Sequence, residues 1–231
     1  MKERPIIMGA ESVRAILEGR KTQTRRVVNP QPSVTYHWSG DAYEEGGMLK
    51  AILPAKPSIH FNYMPKCSYG SIGDRLWVRE TAIISPKNFD DKRFCNSTDN
   101  EGDARIVQYL ATSPCTDGAK FYGLKPKSPL FMPRWASRIT LEITDIRVEM
   151  VQDITEEGAI AEGVEFGSCW EEQFGEGYCT GEGWMDYKNA DYGCSTPKES
   201  YKTLWNSLNA KRGYSWEKNP WVWAITFKVV S

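Results

Sequence analysis

The sequence predicts one α+β domain over residues 1–231, a mixed β-barrel with flanking helices and long loop insertions. Two observations lead to this fold class. Strand patterns and helix patterns are widely separated along the chain instead of alternating regularly, and the last strand is apolar on both faces, which is typical of an interior strand. Insertions are predicted where periodicity fails, near residues 31–71, 85–130 and 165–195.

The first predicted elements enclose a basic junction. Apolar residues with helical spacing predict a helix over residues 11–18 that ends at Gly19. The threonine- and valine-bearing segment 22–28 is typical of a strand and is closed by a turn at Pro30. The basic run over residues 20–26 would then lie between a helix and a strand.

Three more strands are predicted downstream, over residues 75–81, 139–148 and 221–230. The middle one breaks its alternation at Asp145, which indicates a long or bulged strand. Within the second insertion we expect hairpins near residues 106–110 and 120–124.

Two more helices are predicted from capping boxes, one that begins at Asp153 and ends at Gly163, and one that begins at Thr196 and ends near Gly213. The second helix carries an apolar stripe with helical spacing, formed by Tyr201, Leu204, Trp205 and Leu208. Between the two helices, the insertion 165–195 is strongly acidic, which favours a solvated segment.

Composition limits the possible functions. With 40% hydrophobic and 12% aromatic residues, the 231-residue chain can build a core, which excludes disorder for most of it. Its 29 basic and 30 acidic side chains give a net charge of −1, which disfavours a nucleic-acid binder that depends on bulk positive charge. Any basic site must therefore be local.

The sequence gives no sign of a membrane or secreted protein. No apolar run approaches the ~18–20 residues of a membrane span, and the start of the chain lacks the apolar segment of a signal peptide. We therefore expect a cytoplasmic protein with no membrane partner. The cysteines form no CxxC pair and neither histidine has ligand spacing from one, so we expect free thiols, no metal and no cofactor; the cysteines are Cys67, Cys95, Cys115, Cys169, Cys179 and Cys194.

The basic junction is the strongest functional candidate. Residues 1–26 hold seven basic and three acidic side chains, so the local charge is positive. Gly19 permits close approach of a ligand to the backbone, strand alternation places Thr24 and Arg26 on one face, and Lys21 could turn toward that face. A solvated basic loop at a helix end would give the same composition.

The spacing Gly19-x-Lys21-x-x-Thr24-x-Arg26 resembles the GxKxxExR signature of the ASCH domain, a small PUA-like β-barrel associated with RNA and modified bases, with Thr24 in place of the glutamate. Further motifs are similar to those of phage and prophage ASCH proteins, at residues 73–80, 132–138 and 219–223. The resemblance covers most of the chain and implies that the predicted barrel is PUA-like.

Gly-Arg-Lys-Thr-x-Thr at this junction also resembles the N4-acetylcytidine amidohydrolases, a bacterial branch of the same superfamily. In these enzymes the lysine and the second threonine act with a glutamate late in the following helix. The resemblance therefore implies that Lys21, Thr24 and Glu162 are catalytic, with Thr24 as the nucleophile.

This chemistry requires a lysine that can lose its proton. At a pKa of ~10.4 roughly one lysine in 2,500 is neutral at pH 7. We expect the positive charges of Arg20, Arg25 and Arg26, together with partial burial, to lower the pKa of Lys21. Contact with Glu162 would raise it again, so a role for Glu162 in positioning the substrate amine or a water is preferred.

Aromatic and basic residues on other segments are candidates for substrate binding. A base stacked on an indole gains ~1–3 kcal/mol, and Trp135 is the best candidate because Arg134, Ser137 and Arg138 flank it. Arg79 could bind a phosphate and Glu80 could accept from an exocyclic amine, as carboxylates do with cytosine N4. Core packing of the tryptophan and a structural ion pair between Arg79 and Glu80 are the alternatives. Arg26 completes the set of predicted binding residues.

The leading hypothesis is an amidohydrolase that acts on an N4-acylated cytosine nucleoside, a small-molecule partner. One alternative is a reader that binds a modified base in RNA or DNA without changing it. Another is a metal-independent ribonuclease, which would make RNA the partner. The near-neutral charge favours a small ligand over a long strand.

Overall fold

A five-stranded sheet forms the centre of the protein in a computed structural model of the chain, with its strands in the order Glu3–Ile7, Arg75–Arg79, Thr140–Met150, Trp221–Val229 and Gln23–Val27. The structure describes residues 1–37, 42–45, 48–51, 58–63, 65–85, 98–99, 106–113, 120, 123–168 and 182–230. The strands of the central sheet are β1 (Glu3–Ile7), β2 (Gln23–Val27), β7 (Arg75–Arg79), β11 (Thr140–Met150) and β15 (Trp221–Val229). The helices are α1 (Ala10–Leu17), α2 (Glu156–Ala161) and α3 (Pro197–Asn209).

The four predicted strands are all present. The last one, β15, lies inside the sheet between β11 and β2 and pairs antiparallel with both, and its neighbouring residues Val222 and Trp223 are both buried. Strand β11 has an irregular register between Ile143 and Asp145, where the sequence pattern breaks. The mixed helix and strand content confirms the α+β class.

The sequence did not predict β1, which pairs parallel with β7 at one edge of the sheet. Pro5 and three flanking charges argue against a strand, but an edge strand tolerates proline because one of its sides forms no ladder. Only Ile6 of this strand is buried, so the strand offers little of the alternating pattern that marks the others.

The helix ends follow the predicted signals with one correction. Gly19, Gly163 and Gly213 follow the three helices with φ of +74°, +84° and +86°, the left-handed conformation that glycine adopts without strain. Thr196 caps α3 by accepting a hydrogen bond from the Glu199 amide. The predicted cap of α2 was wrong.

Thr155, not Asp153, caps α2, because its hydroxyl accepts the hydrogen bond from the Gly158 amide at 3.0 Å. Asp153 belongs to a separate 3₁₀ turn, Val151–Asp153. The Val151 amide donates to the carbonyl of Pro220 at 3.0 Å, which holds this turn against the start of β15. The helix therefore begins two residues later than the sequence pattern indicates.

The insertions contain short strands where the structure describes them. The first insertion holds β3 (Ser33–His37) with β6 (Ser58–Tyr63) and β4 (Ala42–Glu45) with β5 (Met48–Ala51). The second holds β9 (Thr98–Asp99) and β10 (Ile106–Tyr109), which form a sheet with β8 (Ala82–Ile84) just before it. The third holds β12 (Phe166–Ser168), β13 (Glu182–Asp186) and β14 (Asp191–Cys194). The hairpin predicted near residues 106–110 is the antiparallel pairing of β10 with β8 and β9. The one near 120–124 includes positions outside the described residues. Cys67 and Cys194 are free thiols; Cys95, Cys115, Cys169 and Cys179 lie outside the described residues.

The central sheet is open, whereas the sequence predicts a barrel. β1 and β2 are its edges, and no ladder joins them among the described strands. A side chain bridges the gap instead, since Arg26 Nη2 donates to the carbonyl of Ile7 at 2.7 Å. A guanidinium spanning two edges replaces the backbone pairing that would close a barrel.

Two apolar cores cover opposite faces of the sheet. The first packs α1 against the sheet through Val13 and Ile16, with Trp223 among their partners. The second packs α2 and α3 against the other face, around Trp205 and Val222. Within the described part of the chain, no helix is long and apolar enough to cross a membrane.

Candidate active site

The basic junction lines a cavity of about 450 Å³ at the edge strand β2. Lys21, Thr24 and Glu162, the three residues predicted to act together, all contribute to its wall. Lys21 lies just before β2, Thr24 near the start of β2, and Glu162 directly after the end of α2. The volume falls within the ~300–1,000 Å³ typical of small-molecule sites.

Backbone hydrogen bonds bring these segments together. After α1 ends, the amide of Lys21 donates to the carbonyl of Ala15 at 2.9 Å, and the amide of Thr22 donates to that of Ala161 at 2.9 Å. The segment between α1 and β2 is therefore fixed against the C-terminal ends of two helices. Carbonyl groups at helix C-termini favour a cation, and Lys21 is that cation.

A buried ion pair joins Lys21 to Glu162. Lys21 Nζ lies 2.6 Å from Glu162 Oε2, and the side chains are only 4% and 5% exposed. The same ammonium donates to the backbone carbonyl of Glu162 at 2.6 Å. Glu162 is thus a buried partner of Lys21 and not an exposed helix residue.

Arg25 extends this pair into a buried network. Its Nη1 donates to Glu162 Oε1 at 3.3 Å and its Nε donates to Glu149 Oε1 at 2.7 Å. Glu162 therefore holds two cations, one on each carboxylate oxygen, while Arg25 is shared between two carboxylates. The sequence placed Arg25 in the basic run but did not identify it as part of the site.

Burial lowers the pKa of Lys21 below its ordinary value of 10.5, because the charge of Glu162 and its hydrogen bond offset the desolvation only in part. Arg26 and Arg25 lower this pKa further by smaller amounts. The direction agrees with the sequence prediction, but burial is the main cause. Arg20, which the prediction included, instead pairs with Glu18 and donates to the carbonyl of Gly163.

Burial acts on the pKa of Arg25 in the same direction, but the negative charges of Glu162 and Glu149 outweigh it and the pKa is raised. Arg25 therefore keeps its positive charge whatever the proton occupancy of Lys21. Of the two cations that Glu162 holds, Lys21 is therefore the one whose pKa is lowered and which can accept and release a proton more readily.

Thr24 is the buried hydroxyl of the cavity wall. It lies opposite Ile225 in the ladder between β2 and β15 and is 4% exposed. Its hydroxyl has no hydrogen-bond partner among the described residues, and this leaves its lone pairs and proton for a ligand. Arg26, two residues on, shares this face of the strand and also lines the cavity.

One wall of the cavity is the apolar stripe of α3. Tyr201 and Trp205 are buried, Leu204 is half-buried, and Leu208 is 59% exposed, and all four line the cavity. The sequence predicts this stripe, but only the structure shows that part of it is left for a ligand. Tyr201 lies against the Arg25 guanidinium, 5.8 Å from its Cζ to the ring centroid.

Tyr201 keeps its proton. Its pKa is raised well above the ordinary value by burial first and by the charge of Glu162 second. A neutral phenol beside the Arg25–Glu162 contact is a hydrogen-bond donor for an oxygen atom of a bound ligand. The stripe pattern identifies Tyr201 only as an apolar residue, so this capacity was missed.

Gly163 determines how closely Lys21 approaches α2. A Cβ at this position would lie 2.9 Å from the Cβ atoms of Ala15 and Lys21. We expect Gly163→Ala to lower the free energy of unfolding by about 1–3 kcal/mol from the positive φ alone, with an added loss from the collision. Chemical denaturation measures the sum of the two losses in the free energy of unfolding.

The matched control is Gly19→Ala, since Gly19 also has a positive φ but nothing lies within 4 Å of its added Cβ. Gly163→Ala should be the more destabilised of the two. Equal losses in both variants would contradict the close packing of Gly163 on Lys21.

The other predicted binding residues do not line this cavity. Glu80 is 2% exposed and forms two hydrogen bonds with Arg138, at 2.9 and 3.0 Å. Its partner is Arg138 and not Arg79, so the predicted Arg79–Glu80 pair was wrong. A carboxylate enclosed in this way has a structural role.

Arg79 and Arg134 both lie over the ring of Trp77, with Cζ 4.7 and 5.9 Å from its centroid, and Arg134 also pairs with Glu3. Ser137 donates to the carbonyl of Val78 at 2.8 Å. Trp135 packs against the apolar cluster of β8 and β10. The packing of Trp135 corresponds to the structural alternative given for it, and the contacts of Arg79, Arg134 and Ser137 are structural as well.

Glu80→Gln is therefore expected to reduce stability without affecting ligand binding in the cavity. Removing one partner of a buried ion pair costs about 3 kcal/mol, which a urea denaturation curve would show. Glu3→Gln, at an exposed pair with Arg134, is the control and should change stability by less than about 1 kcal/mol. A variant of Glu80 that keeps its stability but loses affinity for cytidine would restore the base-binding role.

Cationic groups dominate the cavity, since four cationic side chains and one carboxylate line it among the described residues. Such a lining suits an oxygen-rich ligand better than a metal ion. No family model, curated protein or solved structure matches the chain.

Proposed function

We propose that this protein is an ASCH-type amidohydrolase, PUA-like in architecture, that removes the acyl group from an N4-acylated cytosine nucleoside. One observation carries the proposal: a buried lysine–glutamate pair lines the same cavity as a threonine hydroxyl that has no hydrogen-bond partner among the described residues. The combination supplies a nucleophile and a group that can move its proton. A cytoplasmic location and a phage or prophage origin belong to the same proposal.

In the first step, Thr24 Oγ attacks the acyl carbonyl carbon as its proton passes to neutral Lys21. The tetrahedral intermediate collapses, the bond between the acyl carbon and N4 breaks, and N4 takes the proton from the Lys21 ammonium. Cytidine leaves, and the acyl group remains as an ester on Thr24. The lowered pKa of Lys21 makes its neutral form accessible nearer to physiological pH.

In the second step, water attacks the ester carbon and Lys21 again accepts the proton. The bond to Thr24 Oγ breaks, the oxygen regains a proton from Lys21, and the carboxylic acid leaves. Acid–base catalysis by a positioned group typically raises the reaction rate by roughly 10²–10⁴-fold. Tyr201, which keeps its proton, is the neutral donor available for the oxyanion.

Glu162 is a positioning residue in this scheme. Its two carboxylate oxygens hold Lys21 and Arg25, and each keeps a lone pair for the substrate amine or for the water of the second step. Glu162 raises the pKa of Lys21, but burial lowers it by more, and the nearby charges of Arg26 and Arg25 lower it further.

The test is release of cytidine from N4-acetylcytidine by the purified protein and by Lys21→Met, with binding of the nucleoside measured in parallel. The proposal predicts turnover by the unchanged protein, and binding without turnover by the variant. Lys202→Met is the matched control, because Lys202 is an exposed lysine of α3 away from the cavity.

Binding without turnover by the unchanged protein would overturn the hydrolase proposal in favour of a protein that binds the modified base without changing it. Metal-independent cleavage of a generic RNA would overturn it in favour of the ribonuclease. Turnover that survives in Lys21→Met would remove this lysine from the mechanism.

A further inference from the structure

The cavity continues well beyond the three catalytic candidates. Lys21, Thr24 and Glu162 are all buried, whereas Arg212 on the same lining is exposed and so lies where the cavity is open to solvent. The stripe of α3 lies between these two ends. From Tyr201 to Leu208 it extends for seven residues, or about 10 Å at the rise of an α-helix.

The lining changes in character along this length. The inner end holds the buried ion pairs, the middle is the apolar face of Leu204 and Trp205, and the outer end carries Arg212 in the 3₁₀ turn Ala210–Arg212. A ligand that fills the cavity therefore has a polar reacting end, an apolar middle and an outer end that meets a guanidinium.

The cations of the lining differ in whether a carboxylate already neutralises them. Lys21 and Arg25 pair with Glu162, and Arg25 also with Glu149. Arg26 and Arg212 have no carboxylate partner within the part of the chain that the structure describes. The cavity thus keeps an excess of positive charge that a neutral nucleoside would leave uncompensated.

From this arrangement we infer that the preferred substrate is the 5′-monophosphate of an N4-acylated cytidine, with its phosphate at Arg212. The inference rests on the proposed function and names its substrate class. The acyl group lies at the inner end, the pyrimidine against the α3 stripe, and the phosphate at the opening. A guanidinium there can donate two parallel hydrogen bonds to a phosphate.

A mononucleotide fits better than an RNA strand. The net charge of −1 provides no bulk attraction for a polyanion. Arg26 and Arg212 are the two guanidinium groups of the lining without a carboxylate partner among the described residues, and of these Arg212 is exposed and Arg26 is half-buried. One phosphate group at the opening satisfies that charge.

The first experiment compares kcat/KM for N4-acetylcytidine and for its 5′-monophosphate. We expect kcat/KM to be about tenfold or more higher for the 5′-monophosphate than for the nucleoside. In Arg212→Gln the ratio of these two kcat/KM values should fall to near one. Lys211→Gln is the matched control, because Lys211 is an exposed cation of the same turn that does not line the cavity, and it should keep the full ratio.

The second experiment separates this inference from the proposed function, since it needs no turnover. Calorimetry measures the affinities for cytidine and for cytidine 5′-monophosphate. The phosphate should tighten binding by about tenfold in the unchanged protein and in Lys211→Gln. In Arg212→Gln the two affinities should be about equal. If hydrolysis is absent and this pattern persists, the proposed function fails and the phosphate site remains.

Equal affinity of the unchanged protein for cytidine and its 5′-monophosphate would overturn the inference. An equal loss of the preference for the 5′-monophosphate in Arg212→Gln and in Lys211→Gln would overturn it too. An oligonucleotide with an internal N4-acetylcytidine that is processed faster than the mononucleotide would also overturn it, in favour of an RNA substrate.

Discussion

Thr24→Val is expected to abolish hydrolysis of N4-acetylcytidine while the fold stays intact. Valine has nearly the shape of threonine, and the hydroxyl it removes has no hydrogen-bond partner among the described residues, so little stability is lost. Loss of the nucleophile should lower kcat by roughly 10³-fold or more. Cytidine release and thermal unfolding, measured on the same preparation, check both statements.

Thr24→Ser keeps a hydroxyl at this position and is the matched control. It should retain turnover, reduced by no more than about tenfold because serine is less restricted in χ1. Turnover by the valine variant comparable to that of the serine variant would show that the attacking oxygen comes from another group, such as a water.

Glu162→Gln is expected to shift the pH dependence of kcat and also to lower the maximum value of kcat. Glu162 raises the pKa of Lys21, so its removal lets burial lower that pKa further. Activity rises with pH as Lys21 loses its proton, and the midpoint of this rise should therefore move to lower pH. The maximum rate should fall by roughly 10²-fold, because the positioning carboxylate is lost.

The same substitution changes the pH dependence of stability. A folded pKa below the unfolded value of 10.5 means that the unfolded chain binds an extra proton between the two values. The free energy of unfolding therefore rises with pH up to 10.5, and in Glu162→Gln this window should begin at lower pH. Denaturation at several pH values, with circular dichroism as the signal, measures it.

Glu149→Gln is the control for both measurements. It removes the other carboxylate partner of Arg25 but leaves the Lys21–Glu162 pair in place. Its pH–rate profile should keep the midpoint of the unchanged protein. A midpoint that stays fixed in Glu162→Gln, or that moves to higher pH, would contradict the assignment of Lys21 as the proton acceptor.

Short-range patterns identified the elements that carry the site. Helical spacing before Gly19 and the strand pattern after it depend on neighbouring residues, so the junction between α1 and β2 was predictable. The choice of Glu162 came from a resemblance to a family of enzymes, and its contact with Lys21, 141 positions away, could not come from local pattern. Partial burial of Lys21 was expected, but local pattern could not show that burial outweighs the arginine charges in lowering its pKa.

Residues with long-range partners were the ones misassigned. Glu80 pairs with Arg138, 58 positions away, and no local signal distinguishes that partner from the adjacent Arg79. Trp135 has basic neighbours in sequence, but its ring packs on an apolar cluster contributed by distant strands. The barrel was predicted because strand number and hydrophobicity do not reveal whether the edge strands β1 and β2 pair.

The most direct test of the catalytic cavity is a crystal structure of Thr24→Val with uncleaved N4-acetylcytidine bound. We expect the acyl carbon in contact with the side chain at position 24, close to Lys21 Nζ, and the pyrimidine against the stripe of α3. A nucleoside bound beside Trp135, or one whose acyl group points to solvent away from Lys21, would contradict it.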